Sequence, residues 1–252
     1  MDRAGDMFRI IPFRFPGVEK VHCFFTTALY GNISLDSVSA ASCVTDASGA
    51  YAATAARRKD LSGLLGFDSW TELRQVHGDT LLLEPDSTPF DAPSTLEADG
   101  CATSCAGQAM ISKSADCQQI LLAHNSGKYV AALHSGWRGN AIDFPVSAVE
   151  CFCSAYNVKA QDVLAVRGPS LGPGAAEFVN FEREWPPQFA PWFDRESKRV
   201  NLWELLRQQL IRAGLKAGNI YGIDLCTYTC RDFLFSHRAG HGGRQAALIF
   251  IR

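Results

Sequence analysis

The sequence predicts an α+β fold, a single domain over residues 1–252 in which layered mixed β-sheets are flanked by helices. Three observations favour this class. Short apolar runs interleave with helical segments but lack the regular alternation of a doubly wound sheet. The 252-residue chain is 47% hydrophobic and 20% charged, an ordinary globular mixture with enough length for a sizeable core. No internal repeat or low-complexity tract is present.

The segment before the centre of the chain predicts one helix, one strand and one loop. Alanine and leucine dominate residues 50–65, and Gly66 follows as a cap, so we expect a helix there. The run "DTLLLEP" predicts a strand that Pro85 ends. The polar, proline-rich residues 86–98 predict a loop.

A hairpin is predicted in the centre, in "SADCQQILLAHNSGKYVAALHSGWRGN". The runs "QQILLAH" and "YVAALHS" are joined by the turn residues 125–128. Antiparallel pairing brings the start of the first run near the end of the second. Cys117 precedes the first run and His134 closes the second, so the hairpin can place them side by side.

The remaining elements are predicted from helix-capping residues and from the proline and glycine residues that end helices and strands. A helix is expected after "GWRGN" as far as Tyr156, with Pro145 tolerated only in its first turn. The segment "DVLAVRGPSLGPG" predicts a strand that enters a glycine- and proline-rich loop. Asn201 and Gly214 bound a further helix. The closing "FLFSHRAGHGGRQAALIFIR" predicts two strands joined by a basic, glycine-rich loop.

Composition argues against several classes of partner. The net charge of −2 gives no global field toward nucleic acid or an anionic membrane. No signal peptide or membrane-spanning run is visible, because Arg9, Pro12 and Arg14 interrupt the apolar residues of the N-terminus. We therefore expect a cytoplasmic protein that binds neither nucleic acid nor membrane and needs no obligate protein partner.

The nine cysteines are expected to be reduced thiols, because the number is odd and no secretion signal is visible. Cys101 and Cys105, like Cys226 and Cys230, are separated by three residues. Structural zinc sites usually have two intervening residues, so we expect no four-cysteine zinc site here.

Three residues are candidate metal ligands: His77 in "LRQVHGDT", Cys117, and His134 in "ALHSGWRG". Two imidazoles and one thiolate suit zinc, and a fourth position left for water is typical of a catalytic site. Their wide separation in sequence makes the spacing signal weak. The alternative for each histidine is a partly buried, hydrogen-bonded side chain.

Arginines near glycines are candidate anion ligands. Arg138 lies between glycines after Trp137, and Arg238 and Arg244 flank "AGHGG". Such loops can hold phosphate through backbone N–H groups and a guanidinium fork. A solvated surface arginine is the alternative for each. Neither a P-loop nor a G-x-S-x-G elbow is present.

Together the motifs "QVHG", "ADG", "SADCQQILL", "HSGWRG", "RGPSLGPG", "DLCT" and "FSHR…GGR" resemble the YfiH-like family. This family is also known as the laccase-domain or multicopper polyphenol oxidase family, and as the laccase-domain type of purine nucleoside phosphorylase. The resemblance runs from about Trp70 to Arg252. It implies a metal site formed by His77, Cys117 and His134, the same three residues as above, which would also be catalytic.

The resemblance also implies a fold and an activity. The fold is similar to the cysteine-hydrolase-like catalytic domain of certain bacterial toxins, the CNF type. The expected activity is phosphorolysis of adenosine, inosine and methylthioadenosine, with adenosine deamination as a second activity. Nucleoside and phosphate would be the binding partners, and zinc the cofactor, with copper as the alternative metal. Candidate phosphate ligands are Arg58, Arg138, Arg238 and Arg244.

The sequence departs from the family pattern in three places. Arg57-Arg58 stands where the family has Asn-Arg, so only the arginine at position 58 matches. Gly174-Ala175-Ala176 replaces a pair of cysteines, and His237 replaces a tyrosine. The metal-ligand trio is intact, so these departures bear on substrate preference.

Three other functions stay open from the sequence. One is copper-dependent oxidation of polyphenols, although the six histidines contain no H-x-H pair. Another is a cysteine-type amide hydrolase that edits peptidoglycan precursors, with Cys117 as nucleophile and His134 as base. The last is a non-enzymatic, metal-dependent role in cell division.

Overall fold

A computed structural model describes residues 9–40 and 47–252. The helices are α1 (Leu35–Ala40), α2 (Ala47–Leu65), α3 (Trp137–Ala141), α4 (Phe144–Tyr156), α5 (Phe181–Glu184) and α6 (Leu202–Arg212). The strands are β1 (Ile10–Phe13), β2 (Val21–Thr26), β3 (Ser69–Thr71), β4 (Leu81–Leu83), β5 (Gly100–Thr103), β6 (Gln108–Ser114), β7 (Gln118–His124), β8 (Val130–Ser135), β9 (Val163–Arg167), β10 (Phe193–Asp194), β11 (Arg199–Val200), β12 (Ile220–Gly222) and β13 (Gln245–Ile251). Short 3₁₀ turns lie at Ala160–Asp162, Pro187–Trp192 and Ala217–Asn219.

Two mixed sheets form the centre of the fold. The first has five strands in the order β1-β2-β13-β6-β3, and the second has six in the order β12-β9-β7-β8-β5-β4. Parallel pairs lie at the ends, where β3 pairs with β6 in the first sheet, and β4 with β5 and β9 with β12 in the second. The α+β class with mixed sheets and flanking helices is confirmed.

The fold has four layers because the central strands are apolar on both faces, so each sheet packs against the other sheet and against helices. Alternate residues of β13 and β7 point into the space between the sheets, where Ala247 and Ile249 meet Leu121 and Ala123 in the central cluster. Their neighbours along each strand point outward. The outer face of the first sheet packs against α2, and that of the second against α4 and α6. The layer order is therefore helix, sheet, sheet, helix.

The predicted hairpin is confirmed by β7 and β8, which pair antiparallel with Gln119 opposite His134. Alternation along β8 places Val130, Ala132 and His134 on the face between the sheets. His134 is the penultimate residue of the strand, so its imidazole lies where the apolar interior ends.

Most predicted helix boundaries are confirmed. The first long helix, α2, begins at Ala47 and ends before Gly66, which has a φ of +76°. Pro145 lies in the first turn of α4. At α6, the Asn201 side chain accepts a hydrogen bond from the Glu204 backbone N–H at 3.1 Å, as expected of an N-cap.

One predicted strand is wrong. Residues 233–235 pass from a turn through a bend into irregular backbone, and only the second run of the C-terminal segment is a strand, β13. The backbone N–H groups of Phe233 and Leu234 both donate to the Cys230 carbonyl at 2.8 Å. The Phe235 N–H donates to the Gln245 side chain at 2.7 Å. Because local groups satisfy these donors, the run has no need of a sheet partner.

In the described ranges, 9–40 and 47–252, no helix combines the length and hydropathy needed to cross a bilayer.

Arg58 is buried in the first sheet's outer core, which corrects its prediction as a phosphate ligand. Its side chain is 0% exposed, and its Nη2 donates to Glu72 Oε1 at 2.7 Å. Its Nε donates to the Ile33 carbonyl at 2.8 Å, and the guanidinium lies over the Trp70 ring. Glu72 also pairs with Lys113. The guanidinium of Arg58 therefore binds protein groups and is shielded from any ligand.

We predict that Arg58→Leu lowers the free energy of unfolding by about 3–5 kcal/mol. The change removes one partner of a buried ion pair and leaves the Glu72 carboxylate undercompensated. Lys59→Leu, at the exposed neighbouring position on α2, should change it by less than about 0.5 kcal/mol. Urea unfolding followed by circular dichroism measures both. An Arg58→Leu protein as stable as the control would show that this network does not hold the fold.

Candidate metal centre and its two clefts

The three predicted ligands meet at one end of the sheet sandwich. One ligand atom from each of His77, Cys117 and His134 lies within 4.8 Å of the other two. The Cys117 Sγ is 4.0 Å from the His77 Nε2. Zn–N and Zn–S bonds of about 2.0–2.3 Å hold ligand atoms within about 4 Å of one another, so the group is slightly wider than a metal-bound one. Among the described residues, no other group of histidine, cysteine or carboxylate side chains has such a spacing.

Two crossings of the chain from one sheet to the other carry His77 and Cys117. His77 lies between β3 of the first sheet and β4 of the second, and Cys117 lies between β6 and β7. Since β3 and β6 are parallel neighbours, both crossings leave the first sheet at the same edge. The Gln75 side chain joins them, as it accepts from the Lys113 N–H at 2.8 Å and donates to the Lys113 carbonyl at 2.7 Å.

Asp99 holds both histidines in place. Its Oδ1 lies 2.8 Å from the Nδ1 of His134. Its Oδ2 accepts from the backbone N–H groups of Val76 and Gly78, which flank His77, at 3.2 and 2.7 Å. The Asp99 carbonyl also accepts from the His134 N–H at 2.7 Å. With Nδ1 of His134 bound to Asp99, its Nε2 is the ring nitrogen left for the site.

Two site residues have left-handed backbone conformations, His77 with φ 60° and Asp116 with φ 90°. The Asp116 carboxylate accepts from the Thr227 hydroxyl at 2.5 Å and from the Arg238 N–H at 2.7 Å. Such conformations cost free energy and persist where surrounding bonds enforce them. These bonds therefore fix the direction in which the Cys117 side chain leaves the loop.

Gly136 leaves the space in which the ligands face one another. A Cβ at this position would lie 2.9 Å from the Cys117 Sγ and 3.1 Å from the His77 Cδ2. The first distance is shorter than a Cβ contact can be and the second is tight, so a larger residue would displace the Cys117 thiol and crowd His77. This explains the glycine in "HSGW" that follows His134.

The electrostatics of the site favour a deprotonated thiol. Burial acts to raise the pKa of Cys117, but the His134 charge and hydrogen bonds from both histidines outweigh it and lower the pKa to about 6. Burial acts to lower the pKa of His134, but Cys117 and Asp99 outweigh it and raise the pKa to about 9. The pKa of Asp99 is lowered, since its hydrogen bonds from His134 and Gly78 outweigh burial.

These residues fit a zinc or copper ion. Thiolate and imidazole are the donors that zinc prefers, and tetrahedral bonds of about 2.0–2.3 Å place adjacent donors roughly 3.6 Å apart. The observed 4.0 Å between the Cys117 Sγ and the His77 Nε2 exceeds this separation by a few tenths of an ångström, and the 4.8 Å that bounds the whole group exceeds it by about an ångström, so binding would draw the ligands together. A carboxylate on the outer nitrogen of a ligand histidine, as Asp99 provides, is typical of such sites. The trio supplies three ligands and leaves a fourth position open.

A basic cleft of about 540 Å³ contains all three candidate ligands. Its charged residues are three cations, Arg74, Lys113 and Arg244, and one carboxylate, Asp36. Serine hydroxyls and the Gln75 amide add neutral polar groups. The cleft therefore has the charge and donors to take up an anion.

An aromatic cleft of about 510 Å³ is also lined by Cys117. Trp137 and Phe178 line it, with their ring planes at 68° to each other and centroids 6.2 Å apart. Its charged residues are the carboxylates of Asp116, Glu177 and Glu184 and one cation, Arg238. The two clefts share Ala115, Cys117 and His237. Cys117 therefore lies where the basic cleft meets the aromatic cleft, which is lined mainly by carboxylates among its charged residues.

Of the four predicted phosphate ligands, only Arg244 lines the basic cleft. Arg58 is buried in the core, as described above. Arg138 is exposed and lies over the Trp137 ring, 4.4 Å from its centroid. Arg238 lies in the aromatic cleft, where its Nη2 donates to the Glu177 carbonyl at 3.0 Å. Arg138 and Arg238 therefore do not line the basic cleft, since one lies over Trp137 and the other lines the aromatic cleft.

Sequence reasoning missed Asp99 and Lys113. Asp99 stood in the quoted motif "ADG", but nothing in the sequence paired it with His134. Lys113 directly precedes "SADC", although a single lysine at a strand end gives no signal by itself. Both could be found only once the crossings between the sheets were known.

Residues 22–252 match the family model described as multi-copper polyphenol oxidoreductase laccase. The chain belongs to this family. The match begins well before Trp70, where the sequence motifs first indicated it, and takes in most of the first sheet.

Curated relatives in this laccase-like family carry a different name. A protein of Xylella fastidiosa, strain Temecula1, is 34% identical over 211 residues, which cover 77% of this chain and 76% of the relative. It is named a purine nucleoside phosphorylase. The Escherichia coli K12 protein named purine nucleoside phosphorylase YfiH is 31% identical and covers 71% and 72% of the two chains.

Solved structures support the fold. A Neisseria meningitidis protein superposes with a TM-score of 0.77 at 24% identity and covers 96% of this chain and 99% of its own. The Bacillus licheniformis hypothetical protein YfiH gives 0.76 at 23% identity, with 93% and 94% covered. These likenesses establish the arrangement of sheets and helices.

We predict that Gly136→Ala weakens zinc binding about ten- to a hundredfold. The added methyl group would push Cys117 or His77 from its position, and losses of this size are usual when the support of metal ligands is disturbed. Gly174→Ala is the matched control, since a Cβ there meets nothing within 4 Å. Competition with a chromophoric chelator measures both affinities. Equal zinc affinity in the two variants would contradict the close approach at Gly136.

Proposed function

We propose that this protein is a metal-dependent purine nucleoside phosphorylase acting on adenosine, inosine and methylthioadenosine, with adenosine deamination as a second activity. The observation that carries the proposal is the His77–Cys117–His134 trio at the junction of a basic and an aromatic cleft. The names of relatives at 30–34% identity support the same activity.

Phosphorolysis exchanges one bond at the anomeric carbon. The C1′–N9 bond of the nucleoside breaks, and its electron pair leaves with the purine. A phosphate oxygen forms the new bond to C1′, and the proton of hydrogen phosphate ends on the free base. The products are the base and ribose 1-phosphate, or the methylthio sugar phosphate. The enzyme must therefore bind a dianion and stabilise a cationic sugar in the transition state.

The chain's own residues can meet both needs. The cations of the basic cleft attract the phosphate. The carboxylates of the aromatic cleft supply negative charge beside Cys117, where the positive charge of the sugar would develop. Asp99 keeps the proton of His134 on Nδ1 and so fixes the ring's orientation. When bound, the ion supplies Lewis acidity at this junction, which can polarise a substrate oxygen or a water molecule.

Deamination at the same site replaces the C6 amino group of adenosine with oxygen from water, which yields inosine and ammonia. It needs no phosphate, only an activated water near the purine ring. The two reactions use different atoms of one nucleoside. They should therefore differ in their dependence on phosphate and on the cations of the basic cleft.

A cysteine-type amide hydrolase that edits peptidoglycan precursors is the second candidate, favoured by one observation. The side chains of Asp99, His134 and Cys117 follow one another as acid, base and nucleophile do in a catalytic triad. A bound ion would occupy the thiolate and oppose this use. Activity of the metal-free protein on amides therefore separates the two candidates.

Copper-dependent polyphenol oxidation rests on the family description. A multicopper cluster needs many histidines, whereas only His77 and His134, of the six in the sequence, lie at the trio. One thiolate and two imidazoles could hold a single copper ion. Oxidase activity therefore ranks below phosphorolysis in this proposal.

We predict that metal-replete protein converts inosine and phosphate to hypoxanthine and ribose 1-phosphate. Cys117→Ala and His77→Ala should abolish the turnover, because each removes a ligand and with it the Lewis acid. Cys105→Ala, which changes an exposed cysteine outside the site, should leave turnover within about twofold. Chromatography of the products measures the outcome.

The products also decide between the alternatives. If adenosine is converted to inosine and no sugar phosphate forms, the protein is a deaminase and not a phosphorylase. Failure of metal-replete protein to act on any purine nucleoside would overturn the proposal.

A further inference from the structure

The two clefts that meet at Cys117 carry opposite charge, and this difference extends the proposed function. We infer that the basic cleft, through Arg244, is the phosphate subsite and that the aromatic cleft, through Trp137, is the purine subsite. The identity of the two ligands rests on the proposed function. The assignment of each ligand to a cleft rests on the residues that line the clefts.

Arg244 is the cation of the basic cleft best suited to an oxyanion. Lys113 pairs with Glu72 and Asp36, and Arg74 forms a salt bridge with Glu97 at 3.0 Å. In the described part of the chain, the hydrogen bonds of the Arg244 side chain go from Nη1 to the carbonyls of Gly242 and Gly243, at 3.0 and 2.8 Å. Its positive charge therefore meets no carboxylate there, and one edge of its guanidinium remains for a bidentate contact.

The backbone of Arg244 is fixed from both sides. Its N–H donates to the Asn32 side chain at 2.9 Å, and its carbonyl accepts from the Ile33 N–H at 3.1 Å. The next residue, Gln245, begins β13, the central strand of the first sheet. A cation held at the end of a core strand loses little conformational freedom when it binds a ligand.

The aromatic cleft repels phosphate and suits a neutral planar ring. Asp116, Glu177 and Glu184 set three carboxylates against the single cation Arg238. Trp137 offers an indole face, which stacks on purines, and carboxylates accept hydrogen bonds from purine N–H groups. Phosphate in this cleft would face like charge, whereas a purine in the basic cleft would lack an aromatic face.

The arrangement also matches the geometry of the reaction. In displacement at C1′, the entering phosphate oxygen and the leaving N9 lie on opposite sides of the carbon. The two clefts share Ala115, Cys117 and His237, so a phosphate in one and a purine in the other would approach each other at these residues. The anomeric carbon would then lie at the junction, beside the trio.

Two variants with matched controls test the assignment by steady-state kinetics. Arg244→Gln should raise the KM for phosphate about ten- to a hundredfold, as expected for loss of a charge-assisted contact, and leave the KM for inosine within about twofold. Arg244→Lys keeps the charge, so its KM for phosphate should lie between those of Arg244→Gln and the wild type. Trp137→Leu should raise the KM for inosine and leave that for phosphate unchanged. Trp192→Leu, in the same aromatic cluster but outside the cleft, should change neither.

The opposite pattern would overturn the assignment: an Arg244→Gln protein with an altered KM for inosine and an unaltered KM for phosphate. If the wild type converts no purine nucleoside, the proposed function is refuted. The phosphate subsite is then tested by a binding experiment. Titration calorimetry with inorganic phosphate then decides, because Arg244→Gln should weaken binding at least tenfold. Equal phosphate affinity in Arg244→Gln and wild type would refute the subsite. Thermal melts of each variant separate these results from misfolding.

Discussion

The geometry of the site depends on the Asp99 carboxylate. One oxygen binds the imidazole of His134, and the other binds two backbone N–H groups on either side of His77. A single side chain thus sets the ring orientation of one candidate ligand and the backbone position of another. Charge-assisted bonds of this kind are among the stronger polar contacts in proteins, and here they act in a largely buried place. Without Asp99, the left-handed turn at His77 would lose its main support.

The two sheets give this carboxylate its place. The crossings that carry His77 and Cys117 leave the first sheet at the same edge, so these two loops come together without a long insertion. The apolar space between the sheets ends at His134, where polar groups replace it. Both clefts are lined by Cys117, next to this end. Chemistry at the junction is therefore supported by the most rigid part of the molecule, the paired central strands.

Part of this arrangement could be predicted from the sequence. The alternation and turn residues around 118–135 fixed the hairpin, and the hairpin brought Cys117 near His134. His77 was a candidate because a histidine beside glycine can face a cleft, but no spacing rule links residues 40 positions apart, and the family resemblance gave the same three residues. The strands β1 and β2 escaped prediction because the mixed composition of the first fifty residues gave no clear period.

The errors have a common physical cause, since tertiary contacts decided what neither a motif nor a local run shows. Arg58 was predicted as a phosphate ligand from the family resemblance, but nothing in the sequence shows that Glu72 and the Ile33 carbonyl will bind its guanidinium. The run at 233–235 was predicted as a strand from its apolar residues, but its backbone donors are satisfied by the Cys230 carbonyl and by Gln245. Which cleft Arg238 and Arg244 line likewise depends on how the C-terminal loop folds.

We propose that His77, Cys117 and His134 bind one metal ion and leave a fourth position open. X-ray absorption at the zinc edge of zinc-loaded protein measures the ligand set. We expect one sulfur at about 2.3 Å, two imidazole nitrogens at about 2.0–2.1 Å and one further light atom. In Cys117→Ser protein the sulfur shell should disappear. A spectrum with no sulfur, or with two or more, would contradict the site described for this chain.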